Sequence, residues 1–202
     1  MVRVKIYKNF NIKKQHHNAI ILIGNFDGLH LGHQKLLEEE LETIKENFPS
    51  TNRSNIGGYQ SPLFGSLGIA VPYPYQQFDI LRTSVINFAQ DYCFAKLNEM
   101  ISSTEFCWWL NSNFYGHFNQ IHNHRRCDLV GLYYLKAPPK SGDLILVRND
   151  GSAYTELFKY SEYRLTPEEG RLYLFPGHLW HLVMPHESDE ERVSVSFNLY
   201  AS

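Results

Sequence analysis

The C-terminal stretch from Arg192 to Leu199 alternates strictly between polar and apolar residues. Successive side chains of an extended strand point to opposite faces, so this pattern predicts a β-strand with one polar and one apolar face. The polar set is Arg192, Ser194, Ser196 and Asn198, and the apolar set is Val193, Val195, Phe197 and Leu199. The polar face either meets water or lines a cavity. In a cavity, the planar guanidinium of Arg192 is suited to binding a carboxylate.

A pair of histidines, His122 and His124, precedes a second apolar stretch that runs from Leu129 to Leu135. Side chains two residues apart on a strand share a face, so both imidazoles can reach one point. Imidazole nitrogen is a good ligand for Fe, Zn, Cu or Ni. The pair therefore predicts either a metal site or two structural histidines.

The order of periodic segments predicts a mainly β protein with flanking helices. Residues 35–48 and 83–101 have the 3.6-residue apolar period of helices, and we expect the second helix to pack outside the larger sheet. Residues 50–82, rich in Ser, Gly, Pro and Tyr, predict a long irregular segment. The predicted strands cover residues 106–111, 115–121, 129–135, 144–147, 154–158, 163–165, 171–175, 181–184 and 192–199. Short strands at this spacing favour a sandwich, barrel or jelly roll.

Composition limits the cellular setting and the partners. A chain of 202 residues with net charge −2 is long enough for a sizeable core and has no bulk positive field to attract nucleic acid. Three widely spaced cysteines predict reduced thiols, and no apolar run approaches the roughly 20 residues of a membrane helix. With no signal-peptide pattern either, we expect a cytoplasmic protein that contacts neither membrane nor nucleic acid.

Six motifs in a fixed order resemble the 2-oxoglutarate and Fe(II)-dependent oxygenases, and in particular a family of such oxygenases from marine bacteria and their phages. The motifs are Ser54 to Ser61, Trp109-x-Asn111, His122-Asn123-His124, Gly131 to Leu135, Leu174-Phe175-Pro176 and Arg192 to Asn198. They span roughly residues 40 to 200. The resemblance implies a double-stranded β-helix (jelly-roll) core and hydroxylation of a substrate, with decarboxylation of 2-oxoglutarate to succinate.

The resemblance also implies a metal site for Fe(II). His122 corresponds to the first ligand and His181 to the distal one. His124 stands where the family's relatives usually have a carboxylate ligand. His124 is the favoured third ligand, because its i, i+2 spacing from His122 needs no special loop. Asp128 is the alternative, and would leave His124 beside the site rather than in it.

For the cosubstrate, the resemblance implies that Arg192 and Ser194 bind the distal carboxylate of 2-oxoglutarate. Tyr134 stands where related oxygenases place a tyrosine on the same carboxylate. Asn111 is a further candidate for a hydrogen bond in this pocket.

Residues 1–37 resemble a different family. The apolar run from Ala19 to Ile23 leads into Gly24-Asn25-Phe26-Asp27-Gly28-Leu29-His30-Leu31-Gly32-His33, like the opening of the nucleotidyltransferase domain of the bacterial FAD synthetase/riboflavin kinase. There the histidines and a helix N-terminus stabilise nucleotide phosphate. That activity needs a full doubly wound sheet, which the remaining sequence does not predict. We interpret residues 1–37 as a fragment without activity, and residues 38–202 as the jelly-roll oxygenase domain.

Two alternative functions stay open at this point. A cupin-like metal-binding protein, or a dioxygenase that needs no cosubstrate, could use three histidines without a clamp such as Arg192, Ser194 and Tyr134. Nucleotidyl transfer through His30 and His33 is the second. The sequence does not identify the substrate, which could be a small molecule or a protein side chain. It also leaves open whether the protein forms a homodimer.

Overall fold

A computed structural model describes residues 22–25, 31–51, 53–65, 76–97, 104–147 and 162–201. The helices are α1 (Leu31–Asn47) and α2 (Gln76–Leu97). The strands are β1 (Leu22–Asn25), β2 (Asn55–Ile56), β3 (Tyr59–Gln60), β4 (Phe64–Gly65), β5 (Thr104–Asn113), β6 (Phe118–His122), β7 (Leu129–Lys136), β8 (Leu144–Val147), β9 (Glu162–Leu165), β10 (Arg171–Pro176), β11 (Trp180–Val183) and β12 (Arg192–Ala201).

Two antiparallel sheets face each other across a shared core. The major sheet has the order β1-β10-β7-β12-β5-β3, with β4 also paired to β5, and the minor sheet has the order β2-β6-β11-β8-β9. From β5 onward the chain passes repeatedly between the sheets, which is the winding of a double-stranded β-helix. The predicted jelly-roll fold is confirmed.

Apolar residues of both helices cover the outer face of the major sheet. The buried helix residues are Leu37, Leu41 and Ile44 of α1 and Phe78, Leu81, Val85 and Ala89 of α2. Their spacing of three or four residues keeps them on one side of each helix. The prediction that the second helix packs outside the larger sheet is therefore confirmed. Neither described helix has the length and hydropathy of a membrane-spanning segment.

The segment predicted to be irregular contains regular structure, and this prediction was wrong in part. Helix α2 begins at Gln76 rather than at Thr83, because Phe78 and Leu81 extend its buried stripe by two turns. Thr83 therefore lies inside the helix, where its hydroxyl donates to the carbonyl of Asp79 at 2.9 Å. Three short strands, β2 to β4, also lie in this segment.

Strand predictions hold to within one or two residues for most of the C-terminal half. The exception is residues 115–121, where the sequence predicts a strand broken at Gly116 and β6 begins only at Phe118. The break itself is confirmed, because Gly116 has a φ of +80° in the turn between β5 and β6, a conformation that favours glycine. The strand predicted at residues 154–158 lies outside the described residues.

The first described strand belongs to the same sheet as the C-terminal motifs. Strand β1 pairs antiparallel with β10, with Leu22 opposite Leu174. Helix α1 then packs on this sheet, and the ammonium group of its Lys45 lies 2.6 Å from the Glu191 carboxylate beside β12. Residues 22–25 and 31–47 therefore supply an edge strand and a covering helix to the jelly roll. His30, and the side chain of His33, lie outside what the structure describes.

Candidate metal centre

Three histidines converge at one end of the space between the sheets. His122 ends β6, and His181 lies directly opposite it on the neighbouring strand β11. Their ring centroids are 4.2 Å apart. His124 lies two residues beyond β6, with its ring 5.2 Å from that of His122 and 5.1 Å from that of His181. One potential ligand atom from each residue lies within 4.8 Å of the others.

Backbone carbonyls orient two of these rings. Nδ1 of His122 lies 2.7 Å from the carbonyl oxygen of Gln120, and Nδ1 of His181 lies 3.0 Å from that of Leu179. A carbonyl oxygen can only accept a hydrogen bond, so each Nδ1 must carry the proton. The lone pair of each ring is then on Nε2. Metal-binding histidines are commonly held in this way.

The His124 ring is held by side chains of the major sheet. Nδ1 of His124 lies 2.6 Å from Oδ1 of Asn198 on β12, and the amide nitrogen of Asn198 donates to the Tyr200 hydroxyl at 3.2 Å. The second hydrogen bond fixes which end of the amide faces the histidine. The indole of Trp109 stacks on the His124 ring at 5.6 Å. All three histidines therefore present Nε2 as the free ligand atom.

Burial keeps the three imidazoles neutral. It lowers the pKa of His181 to about 3, helped by the neighbouring His122 and His124 and opposed by the Leu179 carbonyl. Burial also lowers the pKa of His124 to about 4, against the hydrogen bond to Asn198. The pKa of His122 is lowered for the same reason. Neutral imidazole is the form that binds metal, so the donor set fits a divalent transition metal such as Fe(II).

Asp128, the alternative third ligand, is exposed and lies outside this group. Its backbone N–H donates to the carbonyl of Leu199 and its carbonyl accepts from Gly177, which fixes the chain around it. The geometry therefore favours His124 over Asp128.

A buried guanidinium lies deeper in the same cavity. Arg192 begins β12 and its side chain is 1% exposed. It donates a hydrogen bond to the carbonyl of Ser141, and burial lowers its pKa. Among the residues that the structure describes, no carboxylate forms an ion pair with it. By contrast, Arg164 and Arg171 are both paired with glutamates. An unpaired buried charge is costly, so this position is suited to an incoming anion.

A row of polar groups crosses the major sheet beside Arg192. Ser194 on β12 is flanked by Tyr134 on β7 and by Asn111 on β5, and all three line the cavity. Burial raises the pKa of Tyr134, although the charge of Arg192 opposes the shift. Within the described parts of the chain, the Tyr134 hydroxyl and Oδ1 of Asn111 lack hydrogen-bond partners, while the Asn111 amide nitrogen donates to Ser196 at 2.9 Å. These buried groups can therefore bind a polar ligand.

The predicted site residues, with the exception of Asp128, therefore line one cavity. The contact of Asn198 with His124 was not predicted from the sequence. The available signal was alternation, because Asn198 shares the inward face of β12 with Arg192, Ser194 and Ser196.

Residues 107–198 match the family described as "Putative 2OG-Fe(II) oxygenase". The match covers a little under half of the chain and includes the three histidines and Arg192. Members of that family are oxidoreductases that use Fe(II) and 2-oxoglutarate, so the predicted resemblance, enzyme class and cofactors are confirmed at the level of the family.

Solved structures of similar fold include other oxygenases. A prolyl-4-hydroxylase from Pseudomonas putida is 17% identical, with a TM-score of 0.65 over 93% of this chain and 96% of that one. A Trichoplax adhaerens prolyl hydroxylase is 17% identical, with a TM-score of 0.67 over 93% and 86%. HygX from Streptomyces hygroscopicus, solved with nickel and 2-oxoglutarate, is 13% identical, with a TM-score of 0.58 over 90% and 83%. At these identities the likeness concerns the fold alone.

The N-terminal part of the chain matches a second family. Residues 12–51 match the FAD synthetase family. A stretch of 37 residues is 54% identical to a bifunctional riboflavin kinase/FMN adenylyltransferase from Buchnera aphidicola. This stretch is 18% of the chain and covers 12% of that protein, so it represents a small part of such an enzyme. The predicted N-terminal resemblance is confirmed.

Proposed function

We propose that this protein is an oxygenase that binds Fe(II) through His122, His124 and His181 and binds 2-oxoglutarate through Arg192, and that it hydroxylates an organic substrate. The observation that carries the proposal is the combination of three neutral imidazoles and one unpaired, buried guanidinium in a single cavity. A carboxylate-bearing cosubstrate beside a divalent metal satisfies both.

His124 gives this site a different charge from the usual one. A carboxylate ligand would cancel one charge of Fe(II), whereas three imidazoles cancel none. The anionic cosubstrate then supplies the negative charge that the protein ligands lack. Oδ1 of Asn198 accepts a hydrogen bond from Nδ1–H of His124, and this leaves the lone pair of Nε2 available to the metal.

Three inward side chains of the major sheet form the cosubstrate site in this proposal. The guanidinium of Arg192 pairs with the distal carboxylate, and the hydroxyls of Ser194 and Tyr134 donate hydrogen bonds to it. The Tyr134 hydroxyl has no hydrogen-bond partner among the described residues, and its burial separates it from bulk water. Asn111 adds an amide at the end of the same row, where its Oδ1 can accept a hydrogen bond from a ligand or from water.

When bound, Fe(II) and 2-oxoglutarate would activate dioxygen: one oxygen atom would enter succinate as 2-oxoglutarate loses CO2, and the other would enter the substrate as a hydroxyl group. The chain contributes the arrangement of the ligands and the exclusion of water. Apolar side chains of both sheets, including Leu132, Leu144, Phe175 and Val183, line the rest of the cavity.

Anaerobic calorimetric titration of 2-oxoglutarate, with and without Fe(II), tests the proposal. We expect binding at least about tenfold tighter in the presence of the metal, because the two ligands bind to each other as well as to the protein. Glutarate has the same two carboxylates and no keto group, and it should not gain from the metal in this way. Iron binding without 2-oxoglutarate binding would instead indicate a cupin-like three-histidine protein.

A further inference from the structure

A second, larger cavity lies directly outside the histidine cluster, and we name it the outer chamber. Its volume is about 450 Å³, within the range of small-molecule sites. It shares Ser54, Trp109, His122 and His124 with the inner cavity that contains Arg192. A molecule in the outer chamber therefore lies beside the proposed metal ligands, while Arg192 remains available to the cosubstrate.

The charge of the outer chamber differs from that of the whole chain. The chain carries a net charge of −2. Among the residues that the structure describes, the outer chamber is lined by two arginines, Arg53 and Arg125, and by no aspartate or glutamate.

The two arginines approach the chamber from different segments. Arg53 lies just before β2, and Arg125 directly follows His124. Within the described residues, neither forms an ion pair with a carboxylate, unlike Arg164 with Glu162. Both side chains are exposed, so leaving them unpaired costs little, and their relevance to ligand binding lies in their placement on the chamber wall.

We propose that the substrate carries an oxyanion, either a carboxylate or a phosphate group, which Arg53 and Arg125 bind in the outer chamber. The guanidinium fork is well matched to such oxyanions. Binding at this point orients the rest of the substrate toward the three histidines. The assignment of this ligand as the substrate rests on the proposed oxygenase function.

Three probes of similar size test the subsite: phenyl phosphate, benzoate and the uncharged benzamide. Each is titrated into the metal-free protein, and binding is followed by the NMR shift of the Trp109 indole N–H, which lies on the chamber wall. We expect an oxyanion to bind at least about tenfold more tightly than benzamide, since a charged hydrogen bond is stronger than a neutral one. Preference for phenyl phosphate would indicate a phosphorylated substrate, and preference for benzoate a carboxylated one.

The double variant Arg53→Gln/Arg125→Gln should lose about tenfold in affinity for the preferred oxyanion. Arg126→Gln is the matched control, because Arg126 neighbours Arg125 but does not line the chamber. It should retain binding within about twofold, which separates a specific subsite from a general effect of net charge. Thermal melts of the variants verify that each is folded.

Equal binding of benzamide and the oxyanions would overturn the proposal, as would an equal loss in Arg126→Gln or no oxyanion binding at all. Loss of binding in Arg192→Leu, with retention in the double variant, would place the anion in the inner cavity and also overturn it. The experiment uses neither Fe(II) nor 2-oxoglutarate. Oxyanion binding together with failed 2-oxoglutarate binding would therefore contradict the proposed oxygenase function and leave the subsite in place.

Discussion

The two faces of the major sheet use alternate residues of the same strands for different purposes. The outer face of β12 presents Val193, Val195 and Phe197 to the helices, and all three are fully buried in an apolar core. The inner face of the same strand presents Arg192 and Ser194 to the cavity. Apolar packing stabilises the outer face, whereas on the inner face the buried guanidinium of Arg192 forms no ion pair with any carboxylate that the structure describes.

Alternate residues of β12 therefore serve different purposes: the outward ones stabilise the fold, and the inward ones are available to bind ligands. Outward residues gain free energy from the removal of apolar surface from water. Inward polar residues cost free energy in the empty protein and recover it when a ligand pairs with them. Substitutions on the two faces should therefore separate stability from ligand binding.

The largest effect on stability should come from Phe197→Ala. The Phe197 ring is fully buried, stacks on Phe106 at 5.5 Å, and fills the space beside Gly131, where an added Cβ would lie 1.7 Å from it. We expect a loss of about 3–5 kcal/mol in the free energy of unfolding, from lost burial and the cavity left behind. Urea unfolding measures it.

The control for Phe197 is the inward neighbour Ser196→Ala, which should cost only about 1 kcal/mol through its hydrogen bond with Asn111. Metal affinity of the folded Phe197→Ala protein should be unchanged. Similar unfolding costs for the two variants would contradict the division between the faces.

Arg192→Leu should weaken 2-oxoglutarate binding without destabilising the fold. We expect 2-oxoglutarate affinity to fall by about 2–5 kcal/mol, because a buried charge pair is lost. The free energy of unfolding should stay the same or rise, since an unpaired buried charge is removed. Calorimetry of the iron-loaded protein measures the affinity for 2-oxoglutarate, and urea unfolding measures the free energy of unfolding. Strong destabilisation with unchanged 2-oxoglutarate binding would instead make Arg192 a structural residue.

Asn198→Ala should weaken metal binding by about 10–100-fold, because His124 loses the acceptor that fixes its orientation. Asn198→Asp retains an acceptor and should restore most of the affinity. Cobalt(II) titration followed by its visible absorption provides the measurement. Asn119→Ala removes an asparagine that lines the inner cavity and hydrogen-bonds Ser54 rather than a histidine, so an equal loss there would count against a specific role for Asn198.

The smallest effect concerns the ion pair between Lys45 of α1 and Glu191, which directly precedes β12. Burial alone would raise the pKa of Glu191, but hydrogen bonds from Lys45 and Ser112 and the charge of Lys45 outweigh it and lower the pKa. A lowered carboxyl pKa stabilises the fold at neutral pH, and this contribution disappears as the pH falls through the folded-state pKa.

Lys45→Met should therefore reduce the free energy of unfolding at pH 7 by about 1 kcal/mol or less, since the pair is partly exposed. The difference from the wild type should shrink as the pH falls below the ordinary glutamate value of 4.5. Urea unfolding at pH 7 and pH 3.5 measures this. A difference that grows in acid would contradict the assigned role of Glu191.

Local periodicity was sufficient to predict most strands and the two faces of β12, whereas the resemblance to the oxygenases supplied most of the site residues. The rings of His122 and His124 do lie together, but His124 lies beyond the end of β6 and does not share a strand with His122. Local periodicity could not predict contacts between distant segments, because no short sequence pattern encodes them. The hydrogen bond between His124 and Asn198 joins residues 74 positions apart.

The N-terminal part of α2 was missed for a related reason. Its stripe begins at Phe78, within a segment rich in Gly, Pro and Tyr, and local composition favoured a loop there. The buried contact of Phe78 with Trp108, with stacked rings 4.1 Å apart, supplies stability that composition does not reveal.

The central claim is that His124 completes a three-histidine iron site to which 2-oxoglutarate binds. Anaerobic visible absorption tests it directly, because an iron–oxoglutarate chelate has a weak charge-transfer band. The account predicts that the wild type and Asp128→Ala develop this band when Fe(II) and 2-oxoglutarate are both added, and that His124→Ala does not. A wild type that binds iron without the band, or a band lost in Asp128→Ala and kept in His124→Ala, would contradict it.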